Sequence, residues 1–255
     1  MKNEILKIGP VTLYGYGMMI GIGVLLGWMM AQYRASRRKM DPDFLFTLAF
    51  WALAGGFGGA KLLFWLCQWR EILRDPSFIL WTMGDGFVVY GGIAGGILAA
   101  WFRCRRQNED FLQWLDLLLP SVALGQGFGR LGCFLAGCCY GRETDHFPYV
   151  VFHSSQYAPN GVKLIPAQLW FSLLDFVNAA VLIRLSQRGW RRGRIGALYL
   201  LNYSVGRFCL EWIRGDAERG FIGPLSTSQF LSLFTAATGI ILWFCKEKRK
   251  EAEKP

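Results

Sequence analysis

The stretch that decides the fold reads Leu117-Leu118-Leu119-Pro120-Ser121-Val122-Ala123-Leu124-Gly125-Gln126-Gly127-Phe128-Gly129-Arg130-Leu131-Gly132-Cys133. It is apolar except for Gln126 and Arg130. The guanidinium of Arg130 keeps its charge, because its pKa lies above about 12. At membrane depth an arginine costs at least about 2.5–3.5 kcal/mol on insertion scales, so it should face a cavity, a partner or a ligand. The neighbouring glycines permit close approach to the backbone. The stretch therefore predicts a polar site inside a membrane protein.

The composition of the chain favours a membrane protein over a soluble bundle of helices. Hydrophobic residues make up 53% of the 255 positions and charged residues 18%, whereas a soluble domain carries about 25% charged residues. Several apolar stretches approach the ~20 residues that span a bilayer. The net charge of +10 lies in short clusters between these stretches, and no nucleic-acid-binding motif accompanies it. We expect the lipid bilayer as a partner and no nucleic acid.

The apolar stretches predict an all-α, polytopic integral membrane protein with about seven transmembrane helices. These helices are expected near residues 12–33, 44–66, 78–102, 112–137, 166–186, 194–213 and 225–245. Lysines and arginines concentrate in the links after the first, third, fifth and seventh helices. Because basic loops stay in the cytoplasm, the N-terminus is expected outside and the C-terminus inside.

Residues 1–245 are expected to form a single transmembrane helical domain. Its longest outer link, residues 138–165, is expected to be an outer-face cap, and residues 246–255 a charged cytoplasmic tail. Glycines at four-residue spacing predict closely packed helix faces. The pairs are Gly17 and Gly21, Gly23 and Gly27, Gly55 and Gly59, Gly91 and Gly95, and Gly92 and Gly96.

A polar stripe is predicted on one face of the sixth helix. It consists of Tyr203, Arg207, Glu211 and Arg214. Spacings of four, four and three place these side chains in one row, where Glu211 can pair with both arginines. One interpretation is an ion pair that only fixes helix packing. The other is an anion site made from Arg207 and Arg130, since two guanidiniums can hold a phosphate such as a phospholipid headgroup.

Three cysteines form a second cluster, and three interpretations of it stay open. Cys133, Cys138 and Cys139 are either inert, or redox-active on the oxidising side of the membrane, or ligands of a metal. A metal would require a fourth ligand, which only His146 or His153 could supply as histidines. We expect no metal and no cofactor, and we retain the three cysteines as candidate redox residues.

The chain resembles the prolipoprotein diacylglyceryl transferase family over nearly its whole length. The most specific match is Gly129-Arg130-x-Gly132-x-Phe134-x-x-Gly137-x-x-x-Gly141. Shorter matches are Tyr14-Gly15, Pro166-x-Gln168-Leu169, Arg207-Phe208-x-x-Glu211-x-x-Arg214-x-Asp216 and Leu225-Ser226-x-x-Gln229. The chain departs from the family pattern at Tyr90 (usually His), Cys133 and Ala136 (usually Asn), Cys138 (usually Glu) and Lys61 (usually Arg).

The resemblance implies a bacterial cytoplasmic (inner) membrane enzyme of lipoprotein maturation. Such an enzyme transfers the diacylglyceryl group of phosphatidylglycerol to the lipobox cysteine thiol in the signal peptide of a secreted prolipoprotein, releasing glycerol 1-phosphate. We expect a monomer. The alternatives are a membrane thiol–disulfide oxidoreductase that uses the three cysteines, a related transferase with a different acceptor, and a protein that only binds or transports an anionic lipid.

The resemblance also implies roles for individual residues. Arg130 and Arg207 would hold the phosphate and stabilise its charge on departure, while Glu211 would orient Arg207. Tyr90 would donate a hydrogen bond, since a phenol with a pKa near 10 is a poor base. The expected catalytic residues are therefore Arg130, Arg207, Tyr90 and Glu211. The expected substrate-binding residues are Tyr14, Lys61, Gly91, Gly92, Gln126, Gly129, Gly132, Gly141, Gln168, Tyr203 and Arg214.

Overall fold

The computed structural model describes residues 4–8, 11–189, 191–216 and 220–244, and most of them are helical. The helices are α1 (Gly15–Arg37), α2 (Pro42–Cys67), α3 (Trp69–Arg74), α4 (Phe78–Trp81), α5 (Val89–Arg106), α6 (Phe111–Ala136), α7 (Ala167–Ser186), α8 (Arg194–Leu210) and α9 (Thr227–Phe244). A 3-10 turn at Glu211–Ile213 follows α8. The predicted helical class is thereby confirmed.

Short antiparallel strand pairs lie between the helices. The pairs are β1 (Glu4–Ile8) with β2 (Val11–Tyr14), β3 (Val150–Val151) with β4 (Lys163–Leu164), and β5 (Phe221–Ile222) with β6 (Leu225–Ser226). The second pair lies in the segment expected to be a cap. Whether that segment lies at the outer face stays a prediction, and the predicted tail, 246–255, lies outside the described residues.

Four of the described helices are long and apolar enough to cross a membrane, namely α1, α2, α7 and α9. Large apolar side chains on α2 lie at the surface, among them Phe46, Leu53 and Phe57, which is 67% exposed. Such a surface suits lipid. The remaining long helices, α5, α6 and α8, are shorter or less apolar, so the count of seven spans and the orientation stay predictions.

Two predicted helix boundaries were wrong. The third helix was expected from residue 78, but α5 begins only at Val89. The short helix α4 and a turn at Gly86, whose φ is +75°, precede it, and a left-handed residue of this kind interrupts a helix. The first helix begins at Gly15 rather than residue 12, because residues 11–14 pair with β1.

The chain separates into two compact units, one made of Met1–Ala31 with Leu115–Pro255 and the other of Gln32–Trp114. The expectation of one domain at residues 1–245 stays a prediction. In the Gln32–Trp114 unit, α2 packs against α5 through glycines. A Cβ at Gly59 would lie 2.9 Å from the Cα of Gly95, which confirms this part of the predicted packing. A Cβ at Gly17 or Gly21 of α1 would meet nothing within 4 Å among the described residues.

Buried polar contacts hold the helices of the other unit together. The carboxylate of Asp116 in α6 accepts hydrogen bonds from the backbone N–H groups of Gly193 and Gly196, each at 2.7 Å. A negative charge at a helix N-terminus is favourable, so Asp116 anchors the start of α8. The hydroxyl of Ser172 in α7 donates to the carbonyl of Gly127 at 2.9 Å, which joins α7 to α6.

Candidate functional site

Arg130 and Arg207 extend from α6 and α8 to one phenyl ring. The guanidinium carbon of Arg130 lies 5.0 Å from the ring centroid of Phe171 in α7, and that of Arg207 lies 5.1 Å from it. Phe171 is buried. A cation over an aromatic face gains about 0.5–2 kcal/mol, more when it is desolvated. The two arginines that the sequence placed on different helices therefore meet around one side chain.

Both guanidiniums retain donors that the described protein groups do not use. Arg130 makes no hydrogen bond and no ion pair within the described residues. Arg207 donates from Nη2 to the hydroxyl of Ser228 at 2.6 Å, whereas its Nη1 is buried and has no partner in the described part of the chain. A buried donor without a partner costs about 1–3 kcal/mol. These donors are available to an anionic ligand.

Glu211 lies between two arginines of the predicted stripe. Its Oε2 is 3.2 Å from Nη2 of Arg207 and 3.6 Å from Nη1 of Arg214, and its side chain is 2% exposed. Asp216 holds Arg214 from the other side with both carboxylate oxygens. Burial opposes the charge of Arg214, but these carboxylates outweigh it and raise the pKa of Arg214. The ion pairs predicted from the four- and three-residue spacings are confirmed.

Sequence reasoning missed Asp175, a buried carboxylate in α7 one turn after Phe171. Asp175 interacts electrostatically with both Arg130 and Arg207. The site thus contains three carboxylates and three arginines, so its net charge is close to zero. The feature that indicates an anion site is therefore the set of guanidinium donors without partners among the described residues, and not an excess of positive charge. The sequence did contain an indication of Asp175, since an acidic residue within an apolar membrane helix is usually part of a functional site.

Sequence reasoning also missed Tyr16 and chose Tyr14. Tyr14 at the end of β2 and Tyr16 in α1 are both exposed, at 48% and 43%. The ring of Tyr16 nevertheless packs over Gly132, where an added Cβ would lie 3.1 Å from Cδ2 of Tyr16. Tyr16 interacts electrostatically with Arg130 and the three clustered cysteines. The sequence indicates Tyr16 only through a second Tyr-Gly pair, Tyr16-Gly17, which follows Tyr14-Gly15 directly.

The three cysteines come together at the end of α6. The sulfur atoms of Cys133, Cys138 and Cys139 all lie within 4.8 Å of one another, and each residue is partly buried. Hydrogen bonds from the other two thiols lower the pKa of Cys139, and the charges of Arg214 and Arg130 act in the same direction. The side-chain amide of Gln168 donates to the carbonyl of Cys138 at 2.8 Å, so Gln168 fixes the backbone of this cluster.

The glycines of the motif serve different purposes. Among the described residues, a Cβ at Gly129 would meet nothing within 4 Å, so this glycine leaves open space next to Arg130. A Cβ at Gly141 would lie 2.7 Å from the Cβ of Ile165. The segment around Gly141 hydrogen-bonds to Ile165, and Gly215 donates to Tyr140 at 3.0 Å. Gly141 is thus required by close backbone packing.

Gln126 and Tyr203 belong to one group of polar and aromatic contacts. The hydroxyl of Tyr199 donates to the side-chain oxygen of Gln126 at 2.8 Å. The rings of Tyr199 and Tyr203 stack with centroids 6.0 Å apart. These contacts join α6 to α8, so they position the helices that carry Arg130 and Arg207.

Four predicted site residues lie in the Gln32–Trp114 unit. Lys61 of α2 donates to the backbone carbonyls of Thr82, Asp85 and Gly86, and its ammonium lies 5.0–5.4 Å from three aromatic rings. All three of its protons are thereby used to hold the loop before α5. Gly91 packs against Gly59, and Gly92 lies over α2. Tyr90 is 52% exposed, and its hydroxyl has no hydrogen bond among the described residues.

Comparison with known proteins places the chain in a family. Residues 3–245 match the family described as prolipoprotein diacylglyceryl transferase. The chain belongs to this family. It is similar to phosphatidylglycerol–prolipoprotein diacylglyceryl transferases of Clostridium tetani (41% identity, 98% of this chain and 100% of the relative) and Clostridium perfringens (38%, 95% and 94%). A cyanobacterial relative from Nostoc is 34% identical over 96% of this chain and 90% of its own length.

Membership of the prolipoprotein diacylglyceryl transferase family agrees with the apolar helices and identifies the chain as a membrane protein and a transferase. The resemblance drawn from Gly129 to Gly141 is confirmed. The comparisons give the oxidoreductase alternative no support, since every relative named above is a transferase.

Proposed function

We propose that this protein transfers the diacylglyceryl group of phosphatidylglycerol to the lipobox cysteine thiol of a prolipoprotein and releases glycerol 1-phosphate. The observation that carries this proposal is the pair of guanidiniums on Phe171, which have unused donors. A phosphodiester has two oxygen acceptors whose spacing matches that of the N–H donors of a guanidinium. The names of the relatives supply the lipid and the acceptor.

In the proposed reaction, sulfur displaces a phosphate at the carbon that bears the ester oxygen. The thiol loses its proton, the thiolate forms the C–S bond, and the electron pair of the C–O bond leaves with the phosphate, which takes up a proton. Arg130 and Arg207 stabilise the charge that gathers on this oxygen. One such donor in a preorganised site is worth about 10²–10³ in rate.

Glu211 and Ser228 act as positioning residues for Arg207 in this proposal. They bind the same nitrogen, Nη2, at 3.2 Å and 2.6 Å, which leaves Nη1 directed elsewhere. An arginine held by fixed partners loses less conformational freedom when it binds a ligand. Tyr90 is proposed as a hydrogen-bond donor, and the remaining substrate-binding residues stay as predicted from the sequence, except Lys61, whose donors hold the loop before α5.

The proposed location is the bacterial cytoplasmic membrane, which the chain would cross seven times. The helices α1, α2, α7 and α9 are long and apolar enough, and α5, α6 and α8 would complete the seven. The basic ends of α1 and α5 favour a cytoplasmic location for these ends. The N-terminus would then be outside and the C-terminus inside, in a protein that acts as a monomer.

A transfer assay tests the proposal. Purified protein in detergent is incubated with phosphatidylglycerol and a lipobox peptide, and the mass of the peptide is measured by mass spectrometry. We expect a mass gain of one diacylglyceryl group together with release of glycerol 1-phosphate. A peptide with serine in place of the lipobox cysteine is the matched control and should gain nothing. Equal modification of both peptides, or of neither, would contradict the proposal.

A further inference from the structure

The chain at the end of α6 brings three thiols together. Gly137 and Cys138 both donate backbone hydrogen bonds to the carbonyl of Cys133, at 2.9 Å and 3.1 Å. Gly137 and Cys139 have positive φ angles of +78° and +57°. The chain therefore turns back over the last helical turn and places Cys138 and Cys139 next to Cys133.

This turn is held in a conformation that carries a cost. A residue other than glycine at positive φ is strained by about 1–3 kcal/mol and persists only where its surroundings enforce it, often at functional sites. Here the enforcing contact is the hydrogen bond of 2.8 Å from the amide of Gln168 to the carbonyl of Cys138. Gln168 is fully buried. The structure thus positions the thiols at the expense of local backbone strain.

The distances suit a metal ion bound by three sulfur atoms. Zinc binds thiolates at about 2.3 Å, so tetrahedral ligands lie about 3.8 Å apart. The three sulfur atoms are all within 4.8 Å of one another. Shortening the sulfur–sulfur distances by about 1 Å or less would give the tetrahedral spacing. A disulfide needs sulfur atoms about 2 Å apart and would leave the third thiol without a partner.

The surrounding charges favour a metal–thiolate complex. A divalent ion with three thiolates carries a net charge of −1, and a fourth thiolate makes it −2, so the complex requires nearby positive charge in a partly buried place. Arg214 and Arg130 both act electrostatically on Cys139. Arg130 also interacts with Asp175, so it contributes a shared positive charge beside the three thiols.

We propose that Cys133, Cys138 and Cys139 bind one thiophilic divalent ion of the zinc class, and that the fourth coordination position takes an external thiol. This proposal rests on the proposed function for the identity of that thiol, the acceptor cysteine. Catalytic zinc sites have three protein ligands and one open position, and a coordinated thiol is deprotonated outright. The released proton goes to solvent, and no oxidant or reductant is required.

Cobalt(II) is the probe for the first test, because its complexes with thiolates absorb visible and near-ultraviolet light whereas zinc is silent. The full-length, reduced protein is titrated with cobalt(II) in detergent without oxygen. We expect one equivalent to bind with a sulfur-to-cobalt band that zinc abolishes. Cys138→Ser should weaken cobalt binding by more than about 100-fold. Loss of a residue that only hydrogen-bonds to a metal ligand lowers metal affinity by about 10–100-fold, and loss of the ligand itself should cost more. Cys67→Ser, at an exposed cysteine, is the matched control and should bind normally.

A second measurement needs no variant of the cluster. Zinc should slow the alkylation of Cys133, Cys138 and Cys139, read by mass spectrometry, and leave that of Cys67 unchanged. Absence of cobalt binding, equal binding by Cys138→Ser and the unmodified protein, or no protection by zinc would overturn the metal site. A disulfide among the three cysteines in protein trapped directly from membranes would also overturn it.

The open position is tested by adding the lipobox peptide and its serine counterpart to the cobalt protein. We expect only the cysteine peptide to change the cobalt spectrum. The same response to both peptides would overturn the coordination of the acceptor thiol. Because neither lipid transfer nor phosphatidylglycerol enters these assays, their failure is distinct from a failure of the proposed transferase reaction.

Discussion

The guanidinium groups of Arg130 and Arg207 contact the same phenyl ring, that of Phe171, at 5.0 Å and 5.1 Å from its centroid. The three residues come from α6, α8 and α7, so the ring sets the position of both cations relative to each other. A phosphate ligand would require both guanidiniums to be directed at one point, and Phe171 supplies that constraint without using their hydrogen-bond donors.

Replacing Phe171 with leucine should therefore lower transfer activity while the protein remains folded. Loss of a cation–π contact of about 0.5–2 kcal/mol at each arginine predicts a fall in kcat/KM on the order of tenfold or more. Phe234→Leu, at an exposed ring of α9, is the control. The kinetics of both variants with phosphatidylglycerol and a lipobox peptide provide the measurement, and equal kinetics would contradict the role given to Phe171.

Glu211→Gln should destabilise the protein strongly. The substitution removes the negative charge between Arg207 and Arg214 in a place where Glu211 is 2% exposed. Breaking a buried ion pair on one side costs about 3–5 kcal/mol. Thermal unfolding in detergent measures the effect. Glu71→Gln, which breaks an exposed pair with Arg74, should shift Tm little, since exposed pairs contribute about 0–1 kcal/mol.

Much of this ion-pair row was predictable from the sequence, whereas the ring that joins the arginines was not. Spacings of four and three in a segment expected to be helical predict that Arg207, Glu211 and Arg214 are neighbours. They are neighbours although α8 ends at Leu210 and a 3-10 turn follows it. Phe171 reads as an ordinary apolar position, and its contact with both arginines depends on how three helices pack. Periodicity within one helix contains no information on that packing.

The start of α5 illustrates a second limit. The apolar run from residue 78 continues through Trp81 and resumes at Phe87, so hydropathy alone joins α4 and α5 into one helix. The left-handed Gly86 and the carbonyls bound by Lys61 interrupt it. The Tyr-Gly dipeptides at residues 14–15 and 16–17 look alike in the sequence, and only the structure shows that the ring of Tyr16 packs over Gly132.

Lys61→Met should affect stability rather than lipid binding. The methionine keeps the apolar contacts with Phe64 and Phe87 but leaves the carbonyls of Asp85 and Gly86 without their donor. These hydrogen bonds are partly buried, and a carbonyl left without a partner there costs up to about 1–3 kcal/mol. We expect a lower Tm and an unchanged KM for phosphatidylglycerol. Lys61→Arg, which retains donors, should restore part of the Tm. A raised KM at unchanged Tm would instead support direct lipid binding by Lys61.

Tyr90→Phe removes one hydroxyl, which has no hydrogen bond among the described residues. Tyr90 as a whole is 52% exposed. Tm should not change. If the hydroxyl donates to a charged group during the reaction, its loss costs about 1.5–3 kcal/mol, which lowers kcat by about 10–100-fold. Steady-state kinetics measure this, and an unchanged kcat would assign Tyr90 to the surface of α5 alone.

If Arg130 acts on the phosphate of the lipid, its replacement should slow the transfer reaction, and a comparison of three proteins measures this effect. Thioether formation on a lipobox peptide is measured with phosphatidylglycerol for the unmodified protein, Arg130→Gln and Arg70→Gln, the last at an exposed arginine beside Trp69. We expect product from the unmodified protein and from Arg70→Gln, and a rate lower by about 10²–10³ for Arg130→Gln. Product formed at the same rate by Arg130→Gln, or by none of the three proteins, would contradict it.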